Sequence, residues 1–500
     1  MKTQIRRVAT LLSVCAALAA APLSAQVSFG KYVALGDSYG AGFSAGCLVQ
    51  RNQQFSYPAT LARQFGITDF QQPTVSDPGL PTCTGLKTIV PSVTFGLIST
   101  KTGLPTNLTL ARSYDNLSVP GYKIADVSDK LTDGAVPGVT DLILRGKGSA
   151  LNQALSLNPS FITLGTIGND ILSAGGAALF LDGVTVTPLP LFTAKYNAVA
   201  ASLKASGRNG VFIGTPDARL IPLASTIKPV LTDATGSVVL VGGNPVPLLG
   251  PGDAAFPCPT GVSACPLPAG TLVTLGANAP VAALGGKSLL AVGFGIPCAV
   301  APTLTQCGRP LPVGTFIPPT ATTPGAVIPG VVLYPDVVAQ IDKRIQDMNA
   351  VVKTAAEANG FKYFDFYALS QDLIVNGRTY GGIHISNAFV TGGMFAYGDA
   401  VHMSNIGYTI LADEIIQFIN ATYGTSIERP NVAAVLFTPD VPAPGSTAIG
   451  ALTTSDFFTE ETWRGLFEEF PLQDASMKIV FSGESALESA DRAPVVRVKR

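Results

Sequence analysis

Short apolar runs that alternate with helical patterns constrain the fold of this 500-residue chain more than any other feature. Parallel strands that are buried on both faces read as continuous apolar runs, and the helices between them return the chain to the same edge of the sheet. The pattern therefore predicts an α/β fold in which helices cover both faces of a parallel sheet and ligands bind at the carboxyl ends of its strands. The predicted strands are Tyr32 to Leu35, Phe161 to Leu164, Val211 to Gly214 and Phe361 to Phe366.

Three helical patterns lie between or after these runs. The longest covers Asp336 to Asn359, where apolar residues recur at three- and four-residue steps. Asp336 is the expected N-cap of this helix, and Gly360 is its expected stop. A shorter pattern covers Thr193 to Ser206, and a third begins after His402.

The first 25 residues have the three parts of a secretory signal peptide. A basic start is followed by an uncharged apolar centre over Val8 to Ala21 and by a small-residue end at Leu23-Ser24-Ala25. We therefore expect residues 1–25 to be removed on export to the periplasm, the outer surface or the extracellular space. A lipoprotein signal at Cys15 is disfavoured because Val14 is a poor residue at the cleavage position. No later stretch predicts a transmembrane helix.

Six cysteines follow the predicted signal peptide, and an even number of cysteines in an exported chain predicts disulfides. A cysteine-rich metal site is the weaker alternative because the chain has no C-x-x-C pair. The spacings favour three pairs among fifteen possible connectivities: Cys47 with Cys83, Cys258 with Cys265, and Cys298 with Cys307.

Charge and local composition exclude one class of partner and divide the chain. Lys and Arg total 32 against 33 for Asp and Glu, so no basic excess is present to neutralise phosphates, and nucleic acid is disfavoured as a partner. Residues 218–330 contain eighteen prolines and few charged residues, which predicts a β- and loop-rich insertion held by disulfides. Residues 425–500 form a C-terminal extension whose role the sequence does not indicate.

A serine stands where the first predicted strand ends and a glycine-bearing turn begins. Ser38 lies in Gly36-Asp37-Ser38-Tyr39-Gly40, so its hydroxyl can stand above the sheet edge near backbone N–H groups, as a catalytic nucleophile requires. A turn serine without a catalytic role is the plain alternative. Gly42-Phe43-Ser44-Ala45-Gly46 satisfies the same G-x-S-x-G pattern but lacks the preceding strand, so Ser38 is the preferred candidate.

The choice of a base for this serine is narrow because the chain has only two histidines. His402 follows Asp399 by three residues, so one loop can present an imidazole and a carboxylate together. The carboxylate would hold one ring N–H and stabilise the imidazolium that forms when Ser38 loses its proton. His384 alternates with apolar neighbours and is expected to be structural or on the rim. A metal site on Asp399 and His402 is the weaker alternative because H-E-x-x-H is absent, so no metal or cofactor is predicted.

Four short blocks in this order resemble the GDSL/SGNH hydrolase superfamily of esterases and lipases. The resemblance extends over roughly Lys31 to Gly424, interrupted by residues 218–330, and four ordered blocks are more specific than any one of them. The third block departs from the family pattern because Ile167 stands where the family has its glycine. The blocks are Gly36-Asp37-Ser38, Asn116-Leu117-Ser118-Val119-Pro120-Gly121, Ile167-Gly168-Asn169-Asp170 and Asp399-Ala400-Val401-His402.

The resemblance implies a fold and a reaction. The fold is a flavodoxin-like three-layer sandwich with a central parallel sheet over residues 26–424, with residues 218–330 inserted. The reaction is hydrolysis of carboxylic esters by a secreted serine esterase or lipase, through a Ser-His-Asp triad and an acyl-enzyme. By block, the implied catalytic residues are Ser38, Asp399 and His402; the oxyanion hole is formed by the N–H groups of Ser38 and Gly121 and the side chain of Asn169; and Asp37 and Asp170 support the site.

Other functions remain open at this point. One is a carbohydrate or glycan O-acetylesterase with similar blocks, and another is a non-catalytic secreted binding or surface protein on a hydrolase scaffold. Residues 218–330 could form either a cap over acyl chains or a structural lobe. A cap would favour an ester substrate with an apolar acyl chain. An ordinary α/β-hydrolase is excluded because its nucleophile follows several strands, whereas Ser38 follows the first. The sequence does not indicate an oligomeric state.

Overall fold

The computed structural model describes most of the chain between residues 27 and 480. The predicted signal peptide, residues 1–25, lies outside the described residues, as does Ile167 of the third block. The described ranges are 27–81, 83–88, 94–97, 99–134, 138–165, 168–204, 208–233, 236–322, 324–388, 393–395, 399–436, 460–469 and 472–480.

A four-stranded parallel sheet forms the centre of the fold, which confirms the α/β prediction. Its strands, numbered in chain order, are β1 (Tyr32–Gly36), β2 (Phe161–Gly165), β3 (Asn209–Ile213) and β4 (Lys362–Phe364), and they lie in the order β1-β2-β3-β4. Each neighbouring pair is parallel. The carboxyl ends of all four strands therefore meet at one edge.

The bounds of two strands differ from the sequence prediction. Strand β3 begins two residues before Val211 and ends one residue before Gly214. Strand β4 is shorter than the apolar run from Phe361 to Phe366 because Phe366 begins a helix. The Asp365 side chain accepts a hydrogen bond from the N–H of Ala368 at 3.0 Å, and this N-cap ends the strand.

An extended segment runs along the outer edge of β1. The N–H of Ala34 donates to the carbonyl of Asp115 at 2.9 Å, and the N–H of Leu117 donates back to Ala34 at 2.9 Å. The N–H of Val119 continues the ladder to Gly36 at 3.0 Å, and the pairing is parallel. The second sequence block is thereby placed beside the strand that carries Ser38.

Helices cover both faces of the sheet. Side chains alternate along β1, so that Val33 and Leu35 enter one hydrophobic core, whereas Tyr32 and Ala34 enter the other. Both cores are closed by long helices, and the result is a three-layer α/β arrangement. The first core is covered by the helices Leu189–Lys204 and Pro335–Ala358, and the second by Tyr57–Gln64 and Asn405–Tyr423.

The long helix Pro335–Ala358 corrects one prediction about helix capping. Its N-cap is Tyr334, not Asp336, because Pro335 occupies the first helical turn, where its fixed φ and missing N–H are tolerated. Asp336 lies inside that first turn. The helix Leu189–Lys204 begins four residues before the predicted Thr193. Its predicted end at Ser206 lies outside the described residues.

The remaining elements are short. The other helices are Ser38–Ala41, Gln50–Gln53, Ile124–Asp129, Val139–Leu144, Ala150–Ser156, Leu172–Ala177, Pro222–Ser225, Leu289–Val292, Phe366–Asn376, Val432–Val435 and Glu460–Glu469, with 3-10 turns at Gly168–Asp170, Leu275–Asn278 and Ala282–Leu284. The other strands are Thr84–Thr88, Thr94–Leu97, Leu240–Val241, Asn244–Pro245, Leu249–Gly250, Cys265–Pro266, Leu272–Val273, Thr315–Ile317, Ala326–Ile328, Val332–Leu333, Arg378–Tyr380, Ile383–Ile385 and Lys478–Ile479.

Residues 218–330 are built from strands of two or three residues, short helices and turns. Three disulfides form in the pairs that the spacings favour, and they are compatible with a secreted protein. None of the helices in the described part of the chain combines the length and apolarity that a membrane crossing requires. The disulfides are Cys47–Cys83, Cys258–Cys265 and Cys298–Cys307.

Candidate active site

Ser38 lies immediately beyond the carboxyl end of β1. It is the first residue of the helix Ser38–Ala41, and the Asp37 side chain caps this helix by accepting a hydrogen bond from the N–H of Tyr39 at 3.1 Å. The N–H of Asp37 donates to the carbonyl of Gly165 at the end of β2, at 3.3 Å. Asp37 thus fixes the turn that carries Ser38.

Ser38, His402 and Asp399 form one hydrogen-bonded chain of side chains. The Oγ atom of Ser38 is 2.9 Å from Nε2 of His402, and Nδ1 of His402 is 3.2 Å from Oδ2 of Asp399. Ser38 is 2% exposed and His402 is fully buried. The imidazole can therefore accept the serine proton on one nitrogen while the carboxylate holds the N–H of the other.

The carboxylate of Asp399 is held by the backbone of its own turn. Its Oδ1 atom accepts hydrogen bonds from the N–H groups of Val401 at 2.9 Å and of His402 at 2.8 Å. Ala400, between them, has a left-handed φ of 56°, which a non-glycine residue adopts only at a cost. The carbonyl of Ala400 accepts a hydrogen bond from the N–H of Leu223 at 2.9 Å, so residues 218–330 contact this turn.

Other groups around the triad have no signal in the sequence. The N–H of Gly46 donates to Oδ2 of Asp399 at 3.3 Å. The rings of Tyr39 and Phe43 lie 5.6 Å and 5.0 Å from the imidazole of His402, measured between ring centres. The Tyr39 hydroxyl donates to the carbonyl of Val401 at 2.7 Å. These contacts join residues more than 350 positions apart.

Gly121 follows the segment that pairs with β1. Its φ is 80°, in the left-handed region that favours glycine. Nearby, the Nδ2 atom of Asn116 donates to the carbonyl of Gly40 at 2.8 Å and ties this segment to the helix of Ser38. Within the described residues, neither the N–H of Ser38 nor that of Gly121 donates a hydrogen bond. Both donors are therefore open to an added acceptor.

Asn169 lies in the 3-10 turn Gly168–Asp170, which begins three residues after the end of β2. A Cβ atom on Gly168 would stand 3.1 Å from Oδ2 of Asp37, so this turn packs directly against the turn of Ser38. The buried Nδ2 of Asn169 donates to the carbonyl of Tyr122 at 3.0 Å. An amide nitrogen has two hydrogens, so one remains for another acceptor.

Asp170 links the turn of Asn169 to the residues after Gly121. Its Oδ2 atom accepts a hydrogen bond from the N–H of Ile124 at 3.0 Å, and its Oδ1 atom is 2.6 Å from Oγ1 of Thr187. The side chain is completely buried, and this desolvation raises the pKa of Asp170 to about 7.

His384 does not join the site. It lies exposed on the hairpin formed by Arg378–Tyr380 and Ile383–Ile385, with Nδ1 3.4 Å from Oγ1 of Thr379. The second G-x-S-x-G serine, Ser44, is buried, and its hydroxyl has no hydrogen-bond partner among the described residues. The structure therefore brings Ser38 and His402 together and leaves both rival residues outside the hydrogen-bonded chain.

A narrow apolar cleft opens beside Tyr39. Its walls include Phe366, Ile374 and Phe395, as well as Met403, which follows His402 in sequence. Hydrophobic side chains in a concave site are suited to bind an apolar ligand group.

The described part of the chain contains no cluster of three or more His, Cys, Asp or Glu side chains that could hold a metal ion. Comparison of the chain with protein-family models, curated proteins and solved structures finds no match.

Proposed function

We propose that this protein is a secreted serine esterase of the GDSL/SGNH hydrolase type that hydrolyses carboxylic esters. The observation that carries this proposal is the buried hydrogen-bonded chain of Ser38, His402 and Asp399. A carboxylate that orients a histidine, which in turn contacts a serine hydroxyl, is the arrangement that activates serine for attack on a carbonyl.

The arrangement of the sheet supports the family assignment. When the segment that pairs with β1 is counted as the second strand, the spatial order becomes 2-1-3-4-5, which is the flavodoxin-like order. Ser38, Gly121 and Asn169 all follow strands or segments that run in the same direction, so the three blocks come together at the carboxyl edge of the sheet. This is the edge at which such sheets bind ligands.

The proposed reaction has two acyl-transfer steps. In the first, Oγ of Ser38 bonds to the ester carbonyl carbon while Nε2 of His402 takes the hydroxyl proton. The tetrahedral intermediate then collapses, the bond to the alkoxy oxygen breaks, and His402 protonates the leaving alcohol. In the second step a water attacks the acyl-enzyme with the same base, and Ser38 regains its proton as the carboxylic acid departs.

In the proposed reaction, three donors stabilise the oxyanion of each intermediate. These are the N–H groups of Ser38 and Gly121, which have no acceptor among the described residues, and the second hydrogen on the amide nitrogen of Asn169. Each such donor contributes about 3 kcal/mol to lowering the barrier. Because Ser38 is 2% exposed, the ester reaches it only after neighbouring groups shift.

The apolar cleft supports a substrate with a hydrophobic acyl chain. It lies beside Tyr39, whose backbone follows Ser38 directly and whose ring lies against His402. An acyl chain bound there would begin next to the serine that carries it.

Hydrolysis of chromogenic acetate and octanoate esters tests the proposal. The wild-type protein should hydrolyse both, and Ser38→Ala should lose nearly all activity. Ser44→Ala is the matched control, since this serine has the same sequence pattern but lies outside the triad. Equal rates for the wild-type protein and Ser38→Ala would favour a non-catalytic role, and activity on acetate alone would favour the O-acetylesterase.

A further inference from the structure

The C-terminal extension, residues 425–500, reaches the third block through Gln473. The N–H of Gln473 donates to the carbonyl of Val184 at 2.7 Å, and its Nε2 donates to the carbonyl of Asn169 at 3.0 Å. Its Oε1 is 2.6 Å from Oγ1 of Thr187. Gln473 therefore contacts the main chain of the residue whose side chain is the proposed oxyanion donor.

The segment that carries Gln473 follows a helix that is anchored in the core. In the helix Glu460–Glu469, Trp463 and Phe467 are buried. A Cβ atom on Gly176, in the helix after the third block, would lie 3.4 Å from the Phe467 ring, and one on Gly276 would collide with the Trp463 ring. The extension is thus packed on both the third block and residues 218–330.

The hydrogens of this contact can be counted. Oγ1 of Thr187 lies 2.6 Å from Oδ1 of Asp170 and 2.6 Å from Oε1 of Gln473, but a hydroxyl has a single proton. The amide orientation of Gln473 is fixed, because its nitrogen must face the carbonyl of Asn169. Oε1 can therefore only accept, and Thr187 must donate to it.

Asp170 must then supply the remaining proton. With the Thr187 proton committed to Gln473, the contact at 2.6 Å between Thr187 and Asp170 is a hydrogen bond only if the carboxyl group donates. The other oxygen of Asp170 accepts from the N–H of Ile124, which is compatible with a neutral carboxyl. The ionised form would place two acceptor lone pairs against each other in a buried site.

The charged surroundings do not reverse this conclusion. Lys123 and Asp126, at the start of the neighbouring helix, have opposite effects on Asp170, and the buried phenol of Tyr196 also lies nearby. The guanidinium of Arg344 donates to the carbonyl of Thr187 at 2.9 Å, but its charge is paired with Asp182 at 2.6 Å. Burial dominates and raises the pKa of Asp170 to about 7.

We propose that Gln473 is a positioning residue for Asn169, held by a directional chain in which neutral Asp170 donates to Thr187, Thr187 donates to Gln473, and Gln473 donates to the Asn169 carbonyl. This inference rests on the proposed function for its effect on the rate. The chain fixes the peptide after Asn169 and so aims the side-chain amide at the oxyanion. The C-terminal extension is thereby part of the support of the active site.

Variants of the chain test this inference through kcat. Thr187→Val removes the hydroxyl at nearly constant volume, and Gln473→Leu removes the amide; each should lower kcat on a chromogenic acetate ester by about tenfold with little change in KM, because a misaimed donor costs transition-state binding. Thr187→Ser should restore kcat to within about twofold, since it keeps the hydroxyl. Ser476→Ala, an exposed change on the same segment, is the control.

The pH dependence separates positioning from a merely structural role. Asp170→Asn keeps the directional chain in a form that cannot ionise, because its amide nitrogen can donate to Thr187 and its oxygen can accept from Ile124. The ratio of kcat for Asp170→Asn to kcat for the wild-type protein should therefore rise as the pH passes about 7.

A second readout does not need activity. The folded pKa of Asp170 lies above its unfolded value, so this group stabilises the fold fully at low pH, and the stabilisation is lost as the pH rises towards about 7. The urea midpoint of the wild-type protein should fall, relative to that of Asp170→Asn, between about pH 4 and about pH 7 and should then level off.

Each outcome decides one claim. If wild-type protein hydrolyses esters but Thr187→Val and Gln473→Leu keep its kcat, the positioning role is overturned and the proposed function stands. If wild-type protein has no esterase activity, the proposed function fails. The urea measurement alone then tests whether the carboxyl group of Asp170 is neutral in the folded protein. Parallel urea midpoints for wild-type protein and Asp170→Asn would overturn the directional chain.

Discussion

The Nε2 atom of His402 lies 2.9 Å from the Oγ atom of Ser38, although 364 positions separate the two residues in sequence. Ser38 is held by the end of the first strand, and His402 is held by the turn before the helix Asn405–Tyr423. The contact therefore depends on how the helix Asn405–Tyr423 packs against the sheet. In the proposed enzyme, the fold brings the nucleophile Ser38 and its base His402 into contact.

Replacing Asp399 by Asn should separate the orientation of the imidazole from its presence. Both oxygens of Asp399 accept hydrogen bonds, one from the N–H groups of Val401 and His402 and the other from Nδ1 of His402 and the N–H of Gly46. In Asp399→Asn, an amide nitrogen in place of either oxygen would face N–H donors instead of accepting from them. We expect kcat to fall by about 10³- to 10⁴-fold, measured by steady-state ester hydrolysis. A loss below about tenfold would remove Asp399 from the triad.

Replacing Asn169 by Ala should lower kcat by about a hundredfold or more with little effect on the fold, because one oxyanion donor is lost. The measurement is ester hydrolysis together with far-UV circular dichroism. Asn376→Ala is the matched control, because Asn376 is exposed and its side chain donates to Asp372 on its own helix. Wild-type turnover in Asn169→Ala would exclude this side chain from the oxyanion hole.

Filling the apolar cleft should change the preference for acyl-chain length. Ile374 lines the cleft, whereas its neighbour Val375 is 80% exposed. Ile374→Trp should lower kcat/KM for an octanoate ester by about tenfold and leave an acetate ester nearly unchanged, since only the longer chain needs the space. Val375→Trp should change neither. Equal losses on both esters for Ile374→Trp would show that the acyl chain binds elsewhere.

The features that the sequence could predict are those with local signals. The apolar run at Tyr32 and the long helix before Gly360 follow from periodicity and from residue types with strong backbone preferences. The N-cap of that helix is harder to predict from the sequence, because Pro335 and Asp336 are both acceptable near a helix start. Only the fixed φ of proline places Pro335 in the first turn and makes Tyr334 the N-cap.

The support of the site could not be predicted in the same way. Gln473 is one glutamine in a segment without periodicity, and nothing near it in sequence indicates a contact with Asn169. Gly46 contacts Asp399 through a backbone N–H, which any residue type carries. Such contacts depend on how distant segments pack, and the sequence of one chain does not reveal that packing.

Labelling by a fluorophosphonate tests the central claim most directly, because the probe bonds covalently only to an activated serine. Intact mass and peptide mapping should show one adduct on the wild-type protein, located at Ser38, with no adduct on Ser38→Ala and strongly slowed labelling of His402→Ala. Ser44→Ala should label like the wild-type protein. An adduct on a different residue, or equal labelling of the wild-type protein and Ser38→Ala, would contradict the assignment of Ser38 as the nucleophile.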